Sequence, residues 1–120
     1  MKTLSRMMLC MGIVAGLAGA AAAAEISGIL MDKMCAPTAI KGGQDVAMKH
    51  ARTCNLTANC SKSGYGVFTA DNKYISLDEA GNAMALKALK ASTKKDDMKV
   101  TVNGTLEGDT IKVTDLKLAE

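Results

Sequence analysis

The 120-residue chain contains very few ring side chains. It has no Trp, two Tyr, one Phe and one His, and Pro37 is its only proline. So few rings predict an aliphatic core, and they argue against the aromatic surface on which single-stranded nucleic acids stack. A single histidine, with no nucleophile motif around any serine, also argues against a serine-hydrolase triad.

The first 24 residues have the features of an export signal peptide. Two basic residues precede an apolar run over 7–18, and Ala20–Ala24 offers small side chains to a signal peptidase. We expect cleavage after Ala24, which leaves residues 25–120 as a single small domain. No later run is long enough to span a membrane, so a soluble periplasmic or secreted protein is expected.

The mature chain is close to electrical neutrality. The signal contains Lys2 and Arg6 but no acidic residue, so its removal lowers the formal net charge from +3 to +1. A near-neutral chain does not favour nucleic acid or another charged polymer as a partner. A small ligand and a protein are the partner classes that stay open.

The hydrophobic pattern of the mature chain predicts five short strands and a helix. Strands alternate apolar and polar residues, whereas the helix has apolar residues at helical spacing. Asp71-Asn72 is typical of a hairpin turn, and a β-bulge is expected near Asp115. The expected segments are strands over 25–31, 65–70 and 73–77, a helix over 78–92, and strands beginning at Met98 and near Ile111.

Five strands with a helix between the third and fourth is the order of an OB-like fold, a small five-stranded Greek-key barrel. We therefore predict a mostly β domain with one or two short helices. Closure into a barrel would also remove exposed strand edges from so short a chain. An open α+β meander is the alternative fold.

The segment between the first two strands, residues 32–63, is unusually long. It contains every cysteine beyond the signal peptide, the only histidine and the only proline. Because structureless loops of this length are uncommon in small domains, something must hold the segment in place. One short helix is expected within it, from about Asp45 to about Thr53.

Four residues of this segment form a candidate metal-ligand set. On one helix, His50 and Cys54 would share a face, and the other two cysteines could fold onto the same point. Three thiolates and an imidazole are a common structural zinc set, although the spacing here matches no known zinc finger. The candidate ligands are Cys35, His50, Cys54 and Cys60.

Other interpretations of this set stay open. Copper is the second choice of metal, because Met31, Met34 and Met48 lie nearby in the sequence and soft ligands favour Cu(I). Two of the three cysteines could instead form a structural disulfide after export, and the third could link two chains into a dimer. A free thiol beside His50 could also be reactive.

Short motifs in this chain resemble a group of small exported bacterial proteins of unknown function. The resemblance covers most of the mature chain and implies that the four candidate ligands form one set, but it implies no activity. The motifs are Asp32-x-x-Cys35-Ala36, His50-x3-Cys54-x5-Cys60 and Ser63-Gly64-Tyr65-Gly66.

The sequence as a whole favours an exported, non-enzymatic binding protein. Its Cys/His cluster would bind a metal, zinc before copper, or form a structural disulfide. The alternative is a thiol-active redox or nucleophilic protein that uses His50 with a free cysteine. No catalytic residue and no organic cofactor site is predicted.

Overall fold

A computed structural model describes residues 22–119 of the chain. The predicted export segment up to residue 21 lies outside this range. No helix among the described residues combines the length and the apolar character needed to cross a membrane. In chain order the elements are β1 (Ala22–Asp32), α1 (Ala36–Gly42), α2 (Gln44–Lys49), α3 (Arg52–Asn55), α4 (Ala58–Ser63), β2 (Tyr65–Phe68), β3 (Tyr74–Leu77), α5 (Glu79–Ala91), β4 (Lys99–Glu107) and β5 (Thr110–Leu118).

The five strands close into a barrel in the order β1-β2-β3-β5-β4. Strand β1 pairs antiparallel with β2 along one edge and with β4 along the other, so the two ends of this strand order meet at the β1–β4 pair. A short parallel pairing of β3 with β5, at Ser76 with Thr110 and Leu77 with Ile111, completes the circle. The predicted small OB-like barrel is therefore confirmed, and the sheet is not an open meander.

Strand boundaries differ from the prediction mainly at β1. This strand begins at Ala22, so Ala22–Ala24 of the predicted export segment pair with residues 104–106 of β4. The bulge expected near Asp115 is confirmed: Asp115 pairs with Asn103 and Val113 with Gly104, which leaves Thr114 as the extra residue.

Aliphatic side chains fill the barrel, as the scarcity of aromatics predicts. Helix α5 closes one end of the barrel with Ala85 and Leu89. Asp78 caps this helix, since its carboxylate accepts a hydrogen bond from the Gly81 backbone N–H at 2.9 Å. The buried interior comprises Ile26, Leu30, Tyr65, Val67, Leu77, Ala85, Leu89, Met98, Val100, Val102, Ile111 and Val113.

Strand β1 is buried on both faces near its C-terminal end. Leu30 belongs to the barrel interior, whereas Ile29 and Met31 lie in a second apolar cluster with Phe68. Buried alanines of α1 and α2 pack on that second cluster, and their small side chains allow close approach. The first half of the long segment is therefore held against the outer wall of the barrel.

We call residues 33–64, which connect β1 to β2, the excursion. It contains four short helices, whereas one was predicted. Helix α2 ends at Lys49 because His50 adopts an extended backbone, with φ −64° and ψ 118°. The predicted helix from about Asp45 to about Thr53 is thus wrong at its C-terminal end, and His50 and Cys54 do not share a helix face.

Arg52 fastens the excursion to the C-terminal end of α5. Its guanidinium donates to the carbonyl of Lys94 at 2.9 Å and to that of Leu89 at 3.2 Å. Its backbone N–H donates to the carbonyl of Lys95 at 2.8 Å. Because the last carbonyls of a helix lack intrahelical partners, the bond to Leu89 satisfies one carbonyl of α5, and the other two fix α3 to the segment that follows the helix.

Candidate metal centre

The centre is built around Asp32, the last residue of β1. Alternation along the strand places its side chain on the face of Leu30, toward the barrel interior. The residue is completely buried, with 0% of its surface exposed. A carboxylate in such a place costs free energy unless its oxygens are paired, so its partners define the site.

Both carboxylate oxygens of Asp32 have partners from the excursion. Oδ2 accepts a hydrogen bond from the Cys35 backbone N–H at 2.9 Å. Oδ1 lies 2.8 Å from His50 Nε2, and the imidazole is itself only 12% exposed. The end of β1 therefore holds both the start of α1 and the residue after α2.

Asn55 is the second buried polar residue of the centre, and it is also fully enclosed. Its Oδ1 accepts from the Asp32 backbone N–H at 3.0 Å, and its Nδ2 donates to the Leu30 carbonyl at 3.3 Å. The Tyr65 hydroxyl donates to its backbone carbonyl at 2.7 Å. The two side-chain bonds fix the orientation of the amide and pin α3 to β1, and the Tyr65 bond ties α3 to β2.

The surroundings of His50 determine which ring nitrogen carries a proton. Nε2 faces two oxygen acceptors, Oδ1 of Asp32 at 2.8 Å and Oδ1 of Asn55 at 3.1 Å. Since both groups accept, Nε2 is the protonated nitrogen. A cation bound at Nε2 would take the place of this proton beside the Asp32 carboxylate.

Three side chains of different chemistry converge at this point. One ligand atom each of Asp32, Cys35 and His50 lies within 4.8 Å of the other two. Together they offer a carboxylate oxygen, a sulfur and an imidazole nitrogen, all of which are zinc ligands in proteins. The described residues therefore contain one compact donor set, and it includes two of the four predicted ligands.

The electrostatics of the centre keep the carboxylate ionised and the thiol protonated. Burial opposes the ionisation of Asp32, but hydrogen bonds from His50 and from the Cys35 backbone outweigh it, so the pKa of Asp32 is lowered. Burial and the negative charge of Asp32 raise the pKa of the Cys35 thiol to about 12. Without a bound cation, Cys35 is therefore not a thiolate at neutral pH.

The other two predicted ligands lie in different environments. Cys60, on α4, is partly buried and close enough to Asp32 and Cys35 to influence the pKa of each. Cys54, on α3, is exposed to solvent, and neither Cys54 nor Cys60 belongs to the compact donor set. All three cysteines within residues 22–119 are free thiols.

The three methionines considered as copper ligands do not form a common site. Met31 is buried in the apolar cluster outside the barrel. Met34 and Met48 are exposed, by 57% and 40%. Met48 lines an open groove of about 450 Å³ between α2 and strands β1 and β4, which contains none of the candidate ligands.

Sequence reasoning missed two residues of the centre. Asp32 stood in the Asp32-x-x-Cys35 motif, but carboxylates were not included in the ligand set. Asn55 follows Cys54 in an Asn-x-Thr sequence, which resembles a glycosylation acceptor. The residue is completely buried, and its amide forms hydrogen bonds in the interior. A signal for Asp32 was available, because an acidic residue ending a strand of buried apolar residues needs a partner.

Fold and site together describe a small OB-like barrel with a buried Asp-His-Cys cluster at the end of its first strand. The chain matches no protein-family model, and comparisons with curated proteins and with solved structures find no significant match. Function is therefore argued from the cluster itself.

Proposed function

We propose that this protein is an exported, soluble, non-enzymatic binding protein whose Asp32-Cys35-His50 cluster binds a transition metal. The observation that carries the proposal is the convergence of three ligand atoms within 4.8 Å, at a point where Asp32 is buried and Cys35 and His50 are partly buried. A bound cation would neutralise the buried carboxylate and accept the sulfur as a thiolate.

Zinc is the favoured metal, before copper. A carboxylate oxygen, an imidazole nitrogen and a thiolate sulfur suit zinc, which accepts all three ligand types. Cu(I) favours a softer set of thiolates and thioethers. Met31 is packed in the outer cluster, and Met48 lines a separate groove. Of the three methionines, this leaves only Met34, which is adjacent to Cys35 in the sequence.

The site also has the outer contacts that a metal ligand needs. Asp32 keeps Oδ2 on the Cys35 backbone N–H, which leaves Oδ1 to face the cation. Asn55 fixes the end of β1 through the Asp32 backbone N–H. Such outer-shell bonds orient ligands, and their loss commonly costs about 10–100-fold in metal affinity.

The experiment is a zinc titration of the reduced mature protein, followed by native mass spectrometry and competition with a chelator of known affinity. We expect one zinc per chain. Cys35→Ser and His50→Gln should weaken binding by at least about 100-fold, the upper end of the outer-shell effect. Cys54→Ser is the matched control and should bind as tightly as wild type, since Cys54 lies outside the donor set.

The proposal is wrong if the reduced wild-type protein binds no zinc, or if His50→Gln binds it unchanged. Titration with Cu(I) under the same conditions ranks the two metals directly. Export is tested separately: a periplasmic or secreted location with a mature mass beginning at Glu25 supports it, and full-length protein retained in the cytoplasm contradicts it.

The alternative function is thiol chemistry by His50 with a free cysteine. It predicts rapid alkylation of one thiol at neutral pH. Burial of Cys35 and the carboxylate beside it work against this at that position, because both raise the thiol pKa. Mass-spectrometric mapping of the first thiol to be alkylated distinguishes the two functions: fast modification of Cys35 supports catalysis, and protection of Cys35 by zinc supports the metal site.

A further inference from the structure

We propose that Cys60 is the fourth ligand of this centre and that oxidation of Cys35 with Cys60 to a disulfide expels the metal. This inference rests on the proposed function, zinc binding by Asp32, Cys35 and His50. Metal and disulfide are then two states of the same residues, and the redox state of the surroundings decides between them.

Backbone contacts bring α4 to the end of β1. Asp32 and Tyr65 are paired residues of strands β1 and β2. One residue further out, the Lys33 N–H donates to the Gly64 carbonyl at 2.9 Å. Gly64 has a φ of +88°, which favours glycine, and its turn directs α4 back over the end of β1. Cys60 lies one helical turn before this point.

The Cys60 thiol takes part in the same electrostatic network as Cys35. It helps to lower the pKa of Asp32, a shift opposed by burial and produced mainly by the hydrogen bonds from His50 and from the Cys35 backbone. It also contributes to the raised pKa of Cys35, after burial and the charge of Asp32. Cys35 and Cys60 are both partly buried, whereas Cys54 is exposed.

Adding Cys60 changes the coordination chemistry. Asp32, Cys35 and His50 alone would leave a zinc ion with one open position, the arrangement typical of catalytic sites. A second thiolate closes the tetrahedron, as expected of a binding protein without catalytic activity. The complete set is one carboxylate oxygen, one imidazole nitrogen and two sulfurs.

The same two sulfurs can be oxidised by a small disulfide such as oxidised glutathione. One thiolate attacks the small disulfide, and the second then displaces the small thiol from the mixed disulfide. For the zinc-loaded protein, one small disulfide and two protons are consumed, and one Cys35–Cys60 bond, one zinc ion and two small thiols are produced. The protein loses two electrons, and the small disulfide gains them.

The test compares the zinc affinity of reduced and oxidised protein in a Cys54→Ser background, which contains only the two relevant thiols after signal removal. Oxidised glutathione is added to the zinc-loaded protein, and zinc release is followed with a chromogenic chelator. We expect release of one zinc per chain, a Cys35–Cys60 disulfide in the peptide map, and an affinity at least about 100-fold lower after oxidation.

A second variant counts the thiolates around the metal. With Co²⁺ in place of zinc, the sulfur-to-metal charge-transfer absorption should fall by about half in Cys60→Ser, because one of two thiolates is lost. This variant should still bind the metal, more weakly than the parent, and its thermal unfolding without metal should match that of the parent. Oxidised glutathione should no longer produce an intramolecular disulfide.

The results separate this inference from the proposed function. If reduced protein binds zinc but Cys60→Ser has unchanged affinity and absorption, Cys60 is not a ligand and the inference is wrong while the metal site stands. Retention of zinc after the disulfide has formed also overturns it. If reduced protein binds no zinc, both proposals are wrong.

Discussion

The barrel and the excursion use different interactions to hold their shape. The barrel encloses twelve buried hydrophobic residues. In the excursion the buried hydrophobic residues are three alanines, at 36, 39 and 47, and its largest fully buried side chain is the polar Asn55. Apolar burial therefore stabilises the barrel, whereas a few polar contacts decide where the excursion lies.

This difference predicts that the two regions unfold separately. Apolar burial supports cooperative unfolding of the barrel, but the excursion loses few apolar contacts when it opens. Regions of this kind open locally at a lower free energy than the global transition. The excursion should therefore exchange its amide hydrogens sooner than β4 and β5.

The largest loss of stability is expected from Asp32→Ala, which tests the comparison between barrel and excursion. The substitution leaves His50 and the Cys35 N–H without their buried acceptor, so we expect a loss of about 3–5 kcal/mol in the free energy of unfolding. Urea denaturation measures it, and hydrogen exchange should show the excursion released first. Asp115→Ala, at an exposed position of β5, should change stability by less than about 0.5 kcal/mol. Equal effects of the two substitutions would contradict this account.

The second-largest loss of stability is expected from Arg52→Ala. It removes the two guanidinium bonds to the Leu89 and Lys94 carbonyls and should cost about 1.5–3 kcal/mol. The excursion should be loosened at α3, and amide exchange near the end of α5 should accelerate. Lys49→Ala, an exposed position in α2, is the control. An unchanged exchange rate in α3 would show that another contact holds it.

Tyr65→Phe tests the link between barrel and excursion at a single hydroxyl. Loss of the bond to the Asn55 carbonyl should cost about 1–2 kcal/mol at neutral pH. Alkaline pH should weaken the same contact, because it removes the hydroxyl proton that Tyr65 donates to the Asn55 carbonyl. Burial, with the charges of Asp32 and Cys60, raises the pKa of Tyr65 to about 12 from its ordinary value of 10.

The sign of the alkaline effect follows from proton binding. Between about pH 10 and 12 the folded protein keeps the Tyr65 proton that the unfolded chain releases, so stability falls as pH rises through this window. Cys35, raised to about 12 from 9, acts in the same direction from about pH 9. The stability of Tyr65→Phe should decline less steeply than that of wild type over this range; an identical slope would assign the decline to other groups.

The smallest effect is expected from Cys54→Ser. The side chain is exposed, so stability should change by less than about 0.5 kcal/mol. In zinc titrations the variant should match wild type, whereas Cys35→Ser should not. A large effect of Cys54→Ser on both stability and zinc binding would mean that the excursion adopts a different arrangement in solution.

The fold could be predicted because each strand of the barrel has its own pattern. Alternation at Val100 and Val102, the Asp71-Asn72 turn and the helical spacing after Asp78 are local signals, and their order selects the topology. The four short helices of the excursion give weaker signals. Helix α2 ends at Lys49, and the next residue, His50, bonds to Asp32, a contact across 18 residues that no local pattern contains.

The candidate site was predictable only in part, for the same reason. Cysteine and histidine are metal-ligand residue types, so Cys35 and His50 could be identified as candidates from the sequence. Their spacing suggested that Cys54 would join them, but the extended backbone at His50 ends helix α2, and α3 brings Asn55 rather than Cys54 to the centre. Asp32 and Asn55 were missed because both are common residue types; the position of Asp32 at the end of an apolar strand was a signal, whereas Asn55 is distinguished only by its complete burial.

The pairing of β1 with both β2 and β4 has a consequence for how the chain reaches its native state. Ser27 of β1 contacts Thr101 of β4 across 74 positions of sequence. The first strand to be synthesised therefore cannot complete its pairing until β4, one of the last strands, has been synthesised. Contacts of such high sequence separation slow folding, because the chain must lose entropy before they form. During synthesis β1 therefore has no partner for one of its edges until β4 has been made.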